Sequence, residues 1–258
     1  MPALFPVPRL SESFLDELVR RAGGQRFTKV WTPALGMENP DYVFPGMLAE
    51  AKILEEEGLR KDSRQLKLAK LLKSSAIDFG RDDFYDQAPS QLRREIENLL
   101  LEPIQRAVKK AAKQLAAART LERFKAHSTM LIAVNSGYSS IPADLFQSLV
   151  LRSCKKYTSQ IDCAACLSIH YHQGPFDAYI FLHKDIVSVK AHWAWDGADA
   201  FASAANGCFE QAMTIMMRDQ MSVDLLNTHL PPIEDVVFEN GGVTYFRKAP
   251  LVPNSLLD

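Results

Sequence analysis

The sequence predicts an α/β protein, in which a central mixed β-sheet is flanked by helices and followed by a C-terminal helix and hairpin. Three patterns predict this class. Apolar and polar residues alternate near Pro45-Gly46, a long helical stretch covers residues 91–125, and a strand, a helix and a second strand follow from residue 129 to residue 172. Strands that alternate with helices over ordinary connection lengths are typical of an α/β sheet.

Length and composition are those of an ordinary globular protein. The chain has 258 residues, 47% of them hydrophobic and 24% charged, enough for one large domain or for a core with an extension. The formal net charge of −1 gives no sign of nucleic-acid binding, so any such surface must come from local clustering. The sequence contains no membrane span, signal pattern or disulfide framework that we recognise. We therefore expect a cytoplasmic protein without a membrane partner.

The first predicted elements are a helix and a strand. Residues 10–22 carry an apolar stripe at helical spacing, with Ser11 or Ser13 as the N-cap and Gly23-Gly24 as the stop. Residues 25–32 have the composition of a strand that leads into the next element.

A hairpin is predicted over residues 38–54, with its turn at Pro45-Gly46. In a two-residue loop, Phe44 faces Met47, and the same register places Asp41 opposite Glu50. Directly opposed side chains have Cβ atoms about 5 Å apart, and like charges in that position destabilise the ladder. The two carboxylates therefore need a compensating charge.

A hard divalent cation can supply that charge, because Mg²⁺ takes one or two carboxylates together with waters and phosphate oxygens. Glu50 and Lys52 are two residues apart on an alternating strand, so both side chains project from one face. Lys52 is then placed to hold the attacking water or the phosphate as a point charge. The alternative interpretation is an exposed strand face that carries ordinary solvated charges.

The residues Pro40-Asp41 and Glu50-Ala51-Lys52 resemble the motif of the PD-(D/E)xK nuclease superfamily, which has the restriction-endonuclease-like fold. The resemblance implies that Asp41 and Glu50 bind Mg²⁺, with Mn²⁺ as a substitute, and that a backbone carbonyl near Ala51 is a further ligand. It also implies that Lys52 positions the attacking water and stabilises charge at phosphorus.

The helical stretch after the hairpin is similar to a second part of that superfamily. The superfamily commonly has a basic residue and a Gln one turn apart on a helix that faces the active centre, and Lys110 and Gln114 have this spacing. The alternative is an amphipathic helix with a basic outer face and an incidental Gln. A first-helix acid often joins the metal site, for which Glu12 or Glu17 is available, although a solvated helix charge is the favoured interpretation.

The same helical stretch is expected to restart at Pro103, after which a buried stripe begins. The stripe consists of Ile104, Val108, Ala111, Leu115 and Ala118. Its remaining surface carries many lysines and arginines, and residues 60–73 form a second basic cluster. Residues 60–73 are either an ordinary solvated face or, beside the predicted site, a contact surface for a nucleic-acid backbone, and the basic residues of the helix are expected to position a duplex.

The second half of the sheet is predicted from residue 129 onward. Residues 129–134 form a continuous apolar run typical of a buried strand, followed by a helix from about Pro142 to Tyr157. Further strands are predicted over residues 163–172 and 176–183. On an alternating strand, Cys163 and Cys166 point to opposite faces, which favours core cysteines over a zinc site.

Beyond residue 185 the resemblance fades. The aromatic cluster at residues 192–195 is expected to pack in the core or against a partner, and a helix over 199–226 precedes a hairpin over 236–246. We therefore divide the chain into a nuclease-like core, residues 1–184, and a C-terminal extension, residues 185–258. The extension is packed on the core or used in assembly, as a homodimer or with partner proteins.

The function predicted from these features is metal-dependent hydrolysis of phosphodiester bonds in double-stranded DNA, in a defence, restriction or repair setting. The residues assigned to it are Asp41, Glu50, Lys52, Lys110 and Gln114. The alternative is a catalytically silent nuclease-like fold that acts as a nucleic-acid-binding or protein-interaction module.

Overall fold

The fold is described from a computed structural model of the chain. The structure describes residues 10–31, 38–54, 89–136, 143–173, 178–191, 193–222, 236–240 and 243–247, together with Lys67, Lys70 and Leu71. The predicted basic cluster at residues 60–73 therefore lies largely outside the described residues.

Helices and strands alternate through most of the described chain. The helices are α1 (Glu12–Arg21), α2 (Phe27–Val30), α3 (Ser90–Arg119), α4 (Ala143–Tyr157) and α5 (Ala198–Ser222), with a short 3₁₀ helix at Glu122–Phe124. The strands are β1 (Gln25–Arg26), β2 (Tyr42–Phe44), β3 (Met47–Leu54), β4 (Ser128–Asn135), β5 (Cys163–Gln173), β6 (Ala178–Ser188), β7 (Val236–Asn240) and β8 (Val243–Arg247).

Strands β1 to β6 form one mixed sheet in sequential order. The three strands β1, β2 and β3 are antiparallel, β3, β4 and β5 are parallel, and β6 returns antiparallel to β5. Parallel neighbours require crossover connections, and α3 and α4 lie in these two crossovers. The predicted α/β class with a mixed sheet flanked by helices is therefore confirmed.

The two faces of the sheet are covered by different helices. Buried side chains of α3 and α4 pack in one cluster with Leu48, Leu131 and Cys166, whereas those of α1 and α5 pack in a second cluster with Met47, Met130 and other residues of the sheet. The period of two along each strand produces this division. We call the two surfaces the α3/α4 face and the α1/α5 face.

The first helix agrees with its prediction, but the strand after it does not. Ser11 is the N-cap of α1, where its hydroxyl accepts a hydrogen bond from Phe14 N at 3.3 Å. The strand predicted over residues 25–32 is wrong, because β1 ends at Arg26 and Phe27–Val30 forms one helical turn. Phe27 N donates to the carbonyl of Asp41 at 2.8 Å and its ring is buried beside Phe124, so the chain turns inward after two strand residues.

The expected restart at Pro103 is also wrong, because α3 runs through this proline as one helix of 30 residues. Proline inside a helix costs about 3 kcal/mol. The apolar stripe keeps its phase on both sides of the proline, through Ile96, Leu100, Ile104 and Val108, and all four side chains are buried. Burial of both halves on one sheet face offsets the local cost. The stripe predicted after Pro103 is confirmed, since all of its members are buried.

The later elements follow the predictions closely. The strand after residue 128, the helix ending at Tyr157, the two following strands and the terminal hairpin are all present. Cys163 and Cys166 are buried on opposite faces of the sheet, as expected, and burial raises the pKa of both thiols. Among the described residues, no helix is long and apolar enough to span a membrane.

The two tryptophans of the aromatic cluster, Trp193 and Trp195, are partly buried and pack against the core. Trp195 meets Phe44 of β2 and Phe201 of α5, with ring centroids 5.3 and 6.0 Å apart. This contact joins α5 to the hairpin on the α1/α5 face. The division of the chain near residue 185 stays a prediction, and β6 itself continues through it to Ser188.

Two glycines give opposite predictions for replacement by alanine. Gly46 has φ +70° and open space where a Cβ would stand, so Gly46→Ala should destabilise the fold by about 1 kcal/mol through backbone strain alone.

Gly207 lies inside α5 and its Cβ would meet only the end of the Arg21 side chain, so Gly207→Ala should stabilise the fold by up to about 1 kcal/mol. Urea unfolding of both variants measures the two changes, and equal signs would contradict the assigned turn.

Candidate functional site

The candidate site is built on the hairpin of β2 and β3. Pro45 and the positive φ of Gly46 suit the two central positions of a type II turn. The turn pairs Phe44 with Met47 and Tyr42 with Ala49, which is the register predicted from the sequence. Asp41 is the residue immediately before β2, and this register therefore brings it beside the middle of β3.

Asp41 and Glu50 hold each other through their backbones. Asp41 N donates to Glu50 Oε2 at 3.1 Å, and Ala51 N donates to Asp41 Oδ2 at 2.9 Å. Each carboxylate therefore accepts a backbone hydrogen bond from the other's segment, and the two acids lie side by side. The expectation that the hairpin brings these two acids together is met.

Lys52 and Gln114 complete a connected group. The Lys52 ammonium contacts Glu50 Oε1 and donates to Gln114 Oε1 at 3.0 Å. Gln114 Nε2 in turn donates to the carbonyl of Asn39 at 3.0 Å. The Gln114 amide thus links α3 to Lys52 and to the residues just before Asp41.

Lys110 does not join this group. Its side chain is exposed one turn before Gln114, and within the described residues it makes no hydrogen bond or ion pair to Asp41, Glu50 or Lys52. The α3 lysine that reaches the acid-bearing segment is Lys113, which donates to Glu38 at 2.8 Å. The sequence alone contains no signal for this pair, because its members are separated by 75 residues.

Burial dominates the electrostatics of the site. Glu50 has no exposed surface and the Lys52 side chain is 17% exposed, whereas Asp41 is half-buried. Burial, and then the charge of Asp41, raise the pKa of Glu50 to about 7 against the opposing effect of Lys52. At neutral pH the Glu50 carboxylate is therefore close to its titration midpoint unless a further cation stabilises it.

The donor set is compatible with a hard divalent cation. Asp41 and Glu50 supply two carboxylates, and the N–H of Ala51 points toward Asp41. The carbonyl of a strand residue lies on the same side as its N–H, so the Ala51 carbonyl is directed toward the same edge. Among the described residues, no group of three or more His, Cys, Asp or Glu side chains could hold a metal. Mg²⁺ suits such a sparse site, because it commonly keeps several waters or phosphate oxygens.

The first-helix acids occupy other positions. Glu17 is paired with Arg20 and Arg21, and Glu12 lies 3.4 Å from Arg26, with α1 packed on the face opposite Glu50. The α1 acid that reaches the hairpin is Asp16. Its carboxylate accepts from the Tyr42 hydroxyl at 2.9 Å and from Arg26 at 2.8 Å, which fixes α1 against β2.

A Ser–His–Asp arrangement also lies on the α3/α4 face, farther along the sheet. Ser168 is opposite His183, and His183 Nε2 lies 2.8 Å from Asp185 Oδ2. Ser168 Oγ instead accepts from Asn135 Nδ2 at 3.3 Å, and no hydrogen bond between Ser168 and His183 is present among these described residues. A nucleophile requires contact with its base, so the three residues do not form a catalytic triad.

Comparison of the chain with protein-family models, with curated proteins and with solved structures gives no match.

The raised pKa of Glu50 predicts how stability changes with pH. The folded protein holds this proton up to about pH 7, whereas an unfolded Glu releases it near pH 4.5. The stabilisation is complete below the unfolded pKa and is lost as the pH rises through about 7. The loss amounts to about 3 kcal/mol. Glu50→Gln should remove this decline, as measured by urea unfolding at pH 5 and pH 8 without divalent cations.

The matched control is Glu17→Gln on the exposed side of α1. Arg20 and Arg21 lower the pKa of Glu17 to about 2, so this group stays ionised throughout the tested pH window. Its replacement should leave the difference between pH 5 and pH 8 as in the parent. If the stability of the parent does not decline between these pH values, burial does not raise the pKa of Glu50.

Proposed function

We propose that the protein is a Mg²⁺-dependent nuclease that hydrolyses phosphodiester bonds in double-stranded DNA. The observation that carries the proposal is the juxtaposition of Asp41, Glu50 and Lys52 on one hairpin, closed by Gln114 from the following helix. This is the residue set that the resemblance to the PD-(D/E)xK superfamily implies, including the helix that bears Gln.

The order of elements supports the same fold assignment. The acid-bearing hairpin is followed by α3 with Gln114, then by the buried strand β4 and by α4, as in the resemblance drawn from the sequence. We propose that these elements form a restriction-endonuclease-like core. The cytoplasmic setting and an assembly role for residues 185–258 are proposals of the same kind.

Each residue of the site has a distinct part in the proposed reaction. Asp41 and Glu50 would hold Mg²⁺ with the Ala51 carbonyl beside them. When bound, the ion, or Mn²⁺ in its place, supplies Lewis-acid chemistry that polarises the phosphoryl group and lowers the pKa of a bound water. Lys52 orients that water and neutralises the charge that develops at phosphorus. The exposed Lys110 contacts the substrate phosphate.

Gln114 has a positioning role in this proposal. The Lys52 ammonium is held by two acceptors, Glu50 Oε1 and Gln114 Oε1. If Glu50 held a metal ion, the hydrogen bond to Gln114 would still keep Lys52 within the site. Gln114 itself is fixed by the carbonyl of Asn39, so the ammonium stays close to Asp41.

One observation favours the alternative of a catalytically silent module. Glu50 is completely buried and is paired with Lys52, so this carboxylate already has a cationic partner in the absence of any metal ion. A silent module of this kind would bind nucleic acid or protein through other surfaces. Affinity for a divalent cation separates the two functions.

Cleavage is the first test of the proposal. Supercoiled plasmid and linear duplex should be cut by the parent with Mg²⁺ and not with a chelator. Asp41→Asn and Glu50→Gln should each reduce the rate at least about a hundredfold, because each removes a carboxylate from the metal site. Glu17→Gln, on the opposite face of the sheet, should cut at the parental rate. Equal rates in all three variants would remove the catalytic assignment.

Stabilisation by metal is the second test and does not require activity. At pH 8, Mg²⁺ at ten times its dissociation constant should raise the free energy of unfolding by about 1.4 kcal/mol. Glu50→Gln should abolish most of this gain, since the remaining carboxylate cannot replace the lost ligand. A parent that gains no stability from Mg²⁺ or Mn²⁺ at pH 8, together with no cleavage, would establish the silent module.

A further inference from the structure

A second surface of the molecule carries several cations, of which the proposed chemistry uses only Lys110. Between Pro103 and Arg119, α3 contains five basic residues and no acidic residue, although the whole chain has a net charge of −1. Four of these five side chains lie on the exposed side of the helix, and we call them the basic stripe: Arg106, Lys109, Lys110 and Lys113.

Helical geometry makes the stripe continuous. At 100° per residue the four side chains occupy an arc of about 100°, and the stripe rises about 10 Å along the helix axis. Gln114 lies at one margin of this arc, beside the candidate site. Lys109 lies at the other margin, where α3 meets the end of α4.

The end of α4 extends the stripe. The ammonium groups of Lys109 and Lys156 both approach the ring of Tyr157, at 4.8 and 5.2 Å from its centroid. The ring quadrupole attracts both charges and so reduces the cost of keeping them together. Within the described part of the chain, neither lysine has a carboxylate partner, whereas Arg106 lies 3.7 Å from the exposed Glu102. Two helices therefore concentrate cations beside one ring.

The other end of the stripe reaches the acid-bearing segment. Lys113 is paired with Glu38 at 2.8 Å, and Glu38 is three residues before Asp41. The stripe thus extends from Lys113, which contacts the segment before Asp41, to Lys109, which contacts Tyr157 on α4.

We propose that this surface, from Lys113 to Tyr157, is the track along which the phosphodiester backbone of a DNA duplex lies. The inference rests on the proposed function for the identity of the partner. Phosphates repeat every 3.4 Å of helix axis on each strand, so a stripe about 10 Å long can contact more than one phosphate. An anionic membrane is the poorer partner, because membrane-surface helices insert an apolar face and the apolar face of α3 is already buried on the sheet.

The test measures binding separately from cleavage. Fluorescence anisotropy with a labelled duplex is carried out in chelator on the full chain, over a range of salt concentrations. The triple variant Arg106→Gln/Lys109→Gln/Lys156→Gln leaves Lys110 and the acid site intact. The slope of its log affinity against log salt concentration should be smaller in magnitude than the parental slope by up to about 2.7. Each lost phosphate contact reduces the slope by about 0.9. Its affinity near 0.1 M salt should fall at least about tenfold.

The matched control removes the same residue types elsewhere, as Arg20→Gln/Lys29→Gln/Lys125→Gln. These three exposed cations lie outside the stripe, and this variant should keep the parental slope and affinity. Thermal unfolding of both variants verifies that they are folded, since surface changes usually alter stability by less than about 0.5 kcal/mol.

Failure of the track and failure of the proposed function give different results. If the triple variant binds the duplex like the parent, or if the parent binds anionic vesicles and not DNA, the track is wrong even when the parent cuts DNA. If the triple variant loses affinity and the control does not, the track stands even when the parent cuts nothing.

Discussion

The arrangement of this protein depends on burying one carboxylate at the middle of a sheet strand. Glu50 lies on the face that α3 covers, and a charge there is costly unless it is paired and hydrogen-bonded. The hairpin supplies the compensation from both sides: the Asp41 amide holds one oxygen and the Lys52 ammonium contacts the other. Turn, register and helix position all serve to bring these groups within reach.

The two faces of the sheet differ in the side chains that β3 presents to them. The α1/α5 face is apolar through Met47, Ala49 and Met130, and its polar link near the hairpin, between Asp16 and Tyr42, holds α1 in place. The α3/α4 face contains the ionisable groups of β3, and α3 presents an amide to them. Both faces are therefore packed by apolar side chains, but the charged groups of β3 lie on the α3/α4 face alone.

Local signals explain which parts of the structure are predictable. The Pro-Gly turn and the alternation along residues 47–54 are properties of adjacent residues, so the sequence predicts the hairpin and its register correctly. The placement of Gln114 beside Lys52 follows from the spacing on α3 together with the family resemblance.

Contacts between distant segments explain the rest. The helical turn at Phe27–Val30 depends on the carbonyl of Asp41 and on the ring of Phe124, and neither is visible in the local pattern. The complete burial of Glu50, and hence its raised pKa, depends on a helix more than 60 residues later. The pair of Glu38 and Lys113 escapes sequence reasoning for the same reason.

The proline inside α3 has a mechanical consequence. Proline has no amide hydrogen, so position 103 cannot donate the backbone hydrogen bond that the carbonyl of Leu99, four residues earlier, would otherwise accept. The N-terminal half of α3 is anchored to α4, where Arg152 contacts Glu97 at 2.7 Å, and the C-terminal half carries Gln114. Position 103 is therefore a point at which packing on the sheet, rather than the helix's own hydrogen bond, keeps the two halves of α3 aligned.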